Sequence, residues 1–449
     1  MKSDELDTGT PTLDGNRTEP EGKASPPLWR FRVLYAGFAG IVETEALAWT
    51  GRAPLGVGRR SASPSQGPWL HVADERVSRE HARVSQGTDE VCIQDLHTRN
   101  GTWLNGVRLS SGQSQPLHDG DVLRLADSFI LVRHEPDFAD VPIPWVVGQS
   151  RAARLIRYGL MSASRSERPL LLLGETGTGK EVAAVALHQL SRRKGRLMTV
   201  NCAAVPATLA EAHFFGVLRG AFTDATAQPG VFMESDQGTL FLDEVGELPI
   251  DLQPKLLRVL ETGEVVPVGS QRPLQCNVRV VAATNRDLAL AMRTQRFRED
   301  LYARLAGQVL HLPPLRERRE DVLLLLRHFL GAEFRPSPRL VAALLAHAWP
   351  FNIRELGNVI SHLRDGSEED VLRTLATSPA IGASPRETKE DSLSKSSVPT
   401  PTHEQLDQLL TQYRGNLRRL EIERGYSRRQ VHRWVDQYGL DLEAYRRRT

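Results

Sequence analysis

The chain is 449 residues long, 40% hydrophobic and 25% charged, with a net charge of +2; these are ordinary values for a globular protein of about two to four domains. No apolar run approaches the roughly 20 residues that span a bilayer, and the acid-rich start lacks the apolar stretch of a secretory signal. Cys92, Cys202 and Cys276 lie far apart, without metal-ligand or disulfide spacing, so a reducing, cytoplasmic location is expected.

Residues 1–27 are rich in threonine, proline, glycine and acids, the composition of a disordered leader. Residues 28–136 show short apolar alternations broken by Gly, Asn, Asp and Pro, as in Asp121-Val122-Leu123-Arg124-Leu125, and predict a β-sandwich. Residues 146–312 alternate strand candidates at 169–173, 198–200, 239–242 and 278–282 with amphipathic helix patterns, the mark of an α/β domain on a parallel sheet. Residues 313–377 read as wholly helical, and 378–402, dominated by Ser, Pro, Thr and charge, as a flexible linker. Residues 403–449 return to helical periodicity with many arginines. The expected fold class is multidomain: a β-sandwich, an α/β P-loop domain with a helical lid, and an all-α end.

Within the α/β segment, four leucines run into Gly174-Glu175-Thr176-Gly177-Thr178-Gly179-Lys180, and a helix pattern follows from Glu181. Glycines let backbone N–H groups converge on phosphate oxygens, the helix start adds favourable partial charge, and Lys180 would reach the β- and γ-phosphates. Glu181 stands where a magnesium-holding Ser or Thr is usual. About sixty residues on, the buried strand Thr239-Leu240-Phe241-Leu242 ends in Asp243 and Glu244. There Asp243 can hold magnesium and Glu244 can polarise an attacking water. A carboxylate pair at a strand end is often just solvated; behind a P-loop, the two elements together predict nucleotide hydrolysis.

These residues resemble the sigma-54-dependent transcription activators, a branch of the AAA+ ATPases. The resemblance includes Glu181 and continues through Asn201-Cys202-Ala203-Ala204, Ala282-Ala283-Thr284-Asn285, Phe297-Arg298-Glu299-Asp300, Arg304-Leu305, Pro313-Pro314-Leu315-Arg316-Glu317-Arg318 and Asn352-Ile353-Arg354-Glu355-Leu356. It implies ATP and Mg2+ as cofactors. It also implies Asn201 as a switch restraining Glu244, Asn285 as γ-phosphate sensor and Arg354 as a sensor on the lid. Arg298 and Arg304 become fingers inserted into a neighbouring subunit, which requires a homo-oligomeric ring such as a hexamer. Elsewhere such arginines would be read as surface ion pairs. The family's polymerase-gripping loop corresponds to Gly220-Ala221-Phe222-Thr223-Asp224-Ala225, with Phe222 and Thr223 as the sigma-54 contacts and Asp224 in place of a glycine.

Upstream, Val57-Gly58-Arg59, Ser78-Arg79-Glu80-His81 and Asn100-Gly101-Thr102-Trp103 resemble the forkhead-associated domain. That implies phosphothreonine recognition, with Arg59 and Ser78 on the phosphate, Arg79 and Asn100 supporting the peptide, and His81 pinning the loops. The partner would be a phosphothreonine protein, a serine/threonine kinase, or a phosphorylated Thr8, Thr10, Thr12 or Thr18 of the leader. Between Arg414 and Arg433, seven arginines against two acids give a local charge of +5, a footprint suited to DNA phosphates. Tyr413-Arg414-Gly415-Asn416, Arg424-Gly425-Tyr426 and the helix capped by Ser427 resemble a Fis-type helix-turn-helix, with Arg428, Arg429, Gln430, His432 and Arg433 toward the DNA. Two readings follow. One is a sigma-54-dependent activator that binds DNA upstream of promoters and remodels sigma-54 RNA polymerase with ATP, gated by phosphothreonine. The other is a phosphothreonine-gated DNA-binding AAA+ regulator that Asp224 has uncoupled from sigma-54.

Overall fold

A computed structural model of the chain describes residues 27–37, 39–43, 46–59, 67–87, 90–136, 140–221, 226–377 and 403–413, with Val435, Tyr438 and Leu440. Two compact units result, Met1–Ile381 and Gly382–Thr449.

The first unit opens with two antiparallel-rich sheets. One is built on Leu28–Ala36, which pairs with Ser128–Glu135; beyond that strand lie Val122–Leu125 and Thr102–Leu104. The other orders Ser114–Pro116, Val91–Asp95, Ala82–Gln86, Leu55–Gly58 and Trp69–His71. Alternation drives the packing: Val91 and Ile93 face a core with Phe31, Val33, Trp49, Leu55, Leu123, Ile130 and Val132. The first sheet is buried on its other face as well. Leu34, Tyr35, Phe129 and Leu131 pack with Leu323, Leu326, Leu344 and Trp349 of the helical lid in one apolar cluster.

The sheet of the α/β domain is parallel throughout, in the order Leu197–Asn201, Thr239–Asp243, Arg279–Thr284, Leu170–Leu173, Gln308–His311. The last is a fifth strand that the sequence pattern did not single out. It is four residues long and carries Gln308 and His311 at its ends, too short and polar for an apolar-run signal. Helices Arg151–Ser164 and Lys180–Ser191 cover one face of the sheet, and Ala207–Phe215, Gln253–Thr262 and Glu299–Leu305 the other.

The lid comprises helices Glu320–Leu330, Pro338–Ala346, Asn352–Asp365 and Glu368–Thr377. Ser337 caps the second by accepting from the Leu340 amide at 3.2 Å, with proline at the next position. Asp321, fully buried, fixes the first helix to the segment entering Arg151–Ser164: it accepts from the amides of Gln149 and Ser150 and from Ser150 Oγ at 2.8, 2.9 and 2.6 Å. In the second unit, helix His403–Gln412 buries Leu406 and Leu410. Among the described residues no helix is long and apolar enough to cross a membrane.

Candidate functional site

Strand Leu170–Leu173 delivers the chain into the glycine-rich turn, and helix Lys180–Ser191 leaves it. Gly177 adopts φ +79°, and a Cβ there would lie 2.2 Å from the Phe351 carbonyl oxygen of the lid, so both backbone and contact require glycine. Lys180 is 7% exposed and its Nζ donates to the carbonyls of Gly174 and Glu175 at 2.9 and 3.1 Å. Burial lowers its pKa, against the pull of Glu244 and Asp243. Glu181 is exposed in the first helical turn.

Strand Thr239–Asp243 sets Asp243 in register beside Asn201. The next residue, Glu244, is held at φ +51°, an uncommon conformation for a residue with a side chain. Its amide donates to Asp243 Oδ1 at 3.1 Å, and its Oε2 accepts from the Asn285 amide at 3.3 Å. Asn285 Nδ2 in turn donates to Thr176 Oγ1 at 2.9 Å. Asn285 thus ties the carboxylate to the phosphate loop. Arg354 of the lid is brought against Gly177, and its charge acts on Lys180.

Three further residues named from the sequence make local bonds. Asn201 Oδ1 accepts from the Ala203 amide at 2.9 Å, closing its own turn rather than holding Glu244. Arg298 pairs with Asp300 at 2.7 Å, and Arg304 Nε donates to the Leu260 carbonyl at 3.1 Å.

The structure adds lid residues that the motifs had left without a role. Arg316 forks onto Glu175 with bonds of 2.6 and 2.8 Å, and holds that carboxyl below its usual range. Asn352 Nδ2 donates to Glu175 Oε2 and the Thr176 carbonyl at 3.2 and 3.0 Å, while its Oδ1 accepts from the Leu315 amide at 2.7 Å. The Ile353 amide donates to the Gly177 carbonyl at 2.9 Å, and the buried Arg318 to the Thr178 carbonyl at 2.8 Å. These residues lie in the segments 313–318 and 352–356 that carry the family resemblance. An open cavity of about 990 Å³ is lined by Gly174, Glu175 and Asn285 together with Arg133 and His134 of the sandwich.

At the sandwich loops, a Cβ on Gly58 would lie 2.2 Å from the Arg79 carbonyl oxygen, so glycine there allows the two loops to meet. The Arg59 amide then donates to the Ser78 carbonyl at 3.0 Å. His81 is fully buried; its Nδ1 accepts from the Ser78 amide at 3.0 Å and its Nε2 faces the Gly101 carbonyl at 3.1 Å. Asn100 Nδ2 donates to the Arg76 carbonyl at 2.7 Å. Arg59, Ser78, Arg79 and Asn100 therefore share one loop surface, with Arg79 exposed. Phe222, Thr223 and Asp224 lie outside the described residues, as do Ser427, Arg428, Arg429, Gln430, His432 and Arg433, residues 1–26 and 378–402.

Residues 146–311 match the sigma-54 interaction domain, residues 316–394 the AAA+ ATPase lid domain, and residues 56–126 the FHA (forkhead-associated) domain. The chain therefore carries these three modules. The nitric oxide reductase transcription regulator NorR2 of Cupriavidus necator is 50% identical over 226 residues, 48% of this chain and 43% of that protein. The formate hydrogenlyase transcriptional activator FhlA of Escherichia coli K12 is 44% identical over 247 residues, 53% of this chain and 36% of that protein. The chain thus spans less than half the length of these two relatives. A solved structure of NtrX from Brucella abortus in complex with ATP is similar over 66% of this chain and 69% of its own, at 28% identity and a TM-score of 0.47.

Proposed function

We propose that the protein is a sigma-54-dependent transcriptional regulator that hydrolyses ATP in a homo-oligomeric ring, a hexamer, to remodel sigma-54 RNA polymerase. DNA binding through the arginine-rich end and phosphothreonine recognition through Arg59, Ser78, Arg79 and Asn100 complete the reading. One observation carries it: Lys180, Asp243, Glu244, Asn285 and Arg354 converge on one glycine-rich turn inside a sigma-54 interaction domain. In this scheme the P-loop amides and Lys180 bind the phosphates. Glu244 orients the attacking water and Asn285 reports the terminal phosphate to Glu244. Arg298 and Arg304 stabilise charge at a neighbour's site.

The oxygen donors fit magnesium. Asp243 offers one carboxylate at the strand end, and among the described residues no cluster of His, Cys, Asp and Glu forms a cage that would hold a cation without help from phosphates. When bound with ATP, magnesium supplies charge neutralisation at the phosphate oxygens.

Glu244→Gln is expected to keep ATP binding and lose ATP turnover by at least about a hundredfold, as measured by phosphate release. Promoter opening by sigma-54 polymerase with the purified wild-type chain and ATP tests the coupling. ATP consumption without opening would favour the second reading, a DNA-binding AAA+ regulator uncoupled by Asp224, which stands where the family's loop has glycine.

A further inference from the structure

A phosphate-binding loop works through the direction of its peptide planes. In a planar trans peptide the carbonyl of one residue and the N–H of the next point in opposite directions. Fixing a carbonyl outward therefore aims the following N–H inward. Glycines make such planes easy to flip, and this loop has them at positions 174, 177 and 179.

Three successive carbonyls of this loop are each taken by a donor from the lid. Thr176 is held by Asn352 Nδ2 at 3.0 Å, Gly177 by the Ile353 amide at 2.9 Å, and Thr178 by Arg318 at 2.8 Å. The following amides belong to Gly177, Thr178 and Gly179, of which that of Thr178 donates to the Glu175 carbonyl at 3.4 Å within the loop. Asn352 is the hub. It is fully buried at φ +55°, bonds Glu175 as well, and accepts from the Leu315 amide, joining both lid segments that reach the loop. Arg316 clamps the same Glu175 from outside.

We infer that Asn352 and Arg318 are positioning residues of the phosphate site: the seated lid holds the carbonyls of Thr176, Gly177 and Thr178 outward and so aims the amides of Gly177 and Gly179 toward the phosphates, while that of Thr178 closes the loop on Glu175. Phosphate affinity then follows lid seating, a link distinct from any direct contact between Arg354 and nucleotide. This inference rests on the nucleotide-binding reading above.

The test uses the full-length chain and Asn352→Gly. Glycine accepts the positive φ readily, so the backbone path is kept while every side-chain bond of Asn352 is lost. Displacement of a fluorescent ATP analogue would be measured with ATP, ADP, inorganic tripolyphosphate and adenosine. The expected result, read below the variant's melting transition, is about tenfold weaker binding of the three phosphate ligands with unchanged adenosine binding. Asn352→Asp, which keeps the acceptor for Leu315 but loses the donor, should weaken binding at least as much. Unchanged phosphate binding in both variants would overturn the inference, as would adenosine weakening in step with ATP. Wild-type affinity in Asn352→Asp would also overturn it, by showing that only the Leu315 bond matters. A wild-type chain that bound none of these ligands would sink the nucleotide reading itself, and this inference with it.

Discussion

At the scale of single residues, His81 shows how a motif acquires a physical meaning. Its Nδ1 accepts from the Ser78 amide and its Nε2 faces the Gly101 carbonyl, a pairing that only the neutral ring with its proton on Nε2 satisfies. Burial lowers its pKa, with the Gly101 bond and nearby acids opposing. The unfolded chain therefore takes up the proton first, near the ordinary histidine value of about 6.5. Stability from this group is complete above that pH and is lost as pH falls toward the folded value. Thermal melts between pH 7.5 and 5.5 should fall more steeply for wild type than for His81→Gln. Equal slopes would count against the assignment. The motif Ser78-Arg79-Glu80-His81 made this residue visible in the sequence. The backbone of Glu244 and the turn of Asn201 were not visible, because residue identity does not disclose a φ angle or which of two neighbours a short amide will choose.

At the scale of elements, strand Ser128–Glu135 meets helix Glu320–Leu330. Arg133 bonds both oxygens of Glu320 at 3.2 and 2.7 Å and the Glu317 carbonyl at 2.9 Å, with the Glu320 side chain only 3% exposed. Removing the cation leaves a buried carboxylate without its partner, so Arg133→Met should cost about 3 kcal/mol in denaturant titrations. Adding Glu320→Gln should recover part of that loss; a purely additive double variant would show that the two side chains do not interact. The contact was half legible. Phe129-Ile130-Leu131-Val132 is a continuous apolar run, the pattern of a strand buried on both faces, whereas a one-faced sheet would alternate. What covered the second face could not be read, since the lid is nearly two hundred residues away in the chain. Four of the five parallel strands and the P-loop were legible because their apolar runs and glycine spacing are local.

At the scale of the whole molecule, sandwich and lid share an apolar cluster, and Tyr35 of the first strand donates its hydroxyl to the Pro336 carbonyl at 2.8 Å. The lid in turn holds the P-loop through Arg316, Arg318 and Asn352. Arg298 and Arg304 bond to Asp300 and to the Leu260 carbonyl. If both act on a neighbour, each active site is assembled from two copies. A chain with Arg298→Ala and Arg304→Ala keeps a complete Glu244 site but has no fingers to lend, and a chain with Glu244→Gln lends fingers but cannot activate water. Each alone should turn over ATP at a small fraction of the wild-type rate. Mixed in equal amounts, they form boundaries at which an intact Glu244 faces intact arginines, and turnover should rise well above that of either parent. Fingers acting within their own chain predict no such rise, because no copy in the mixture would then hold both parts. The comparison needs only phosphate release measured across mixing ratios, and a linear dependence on composition would refute shared sites.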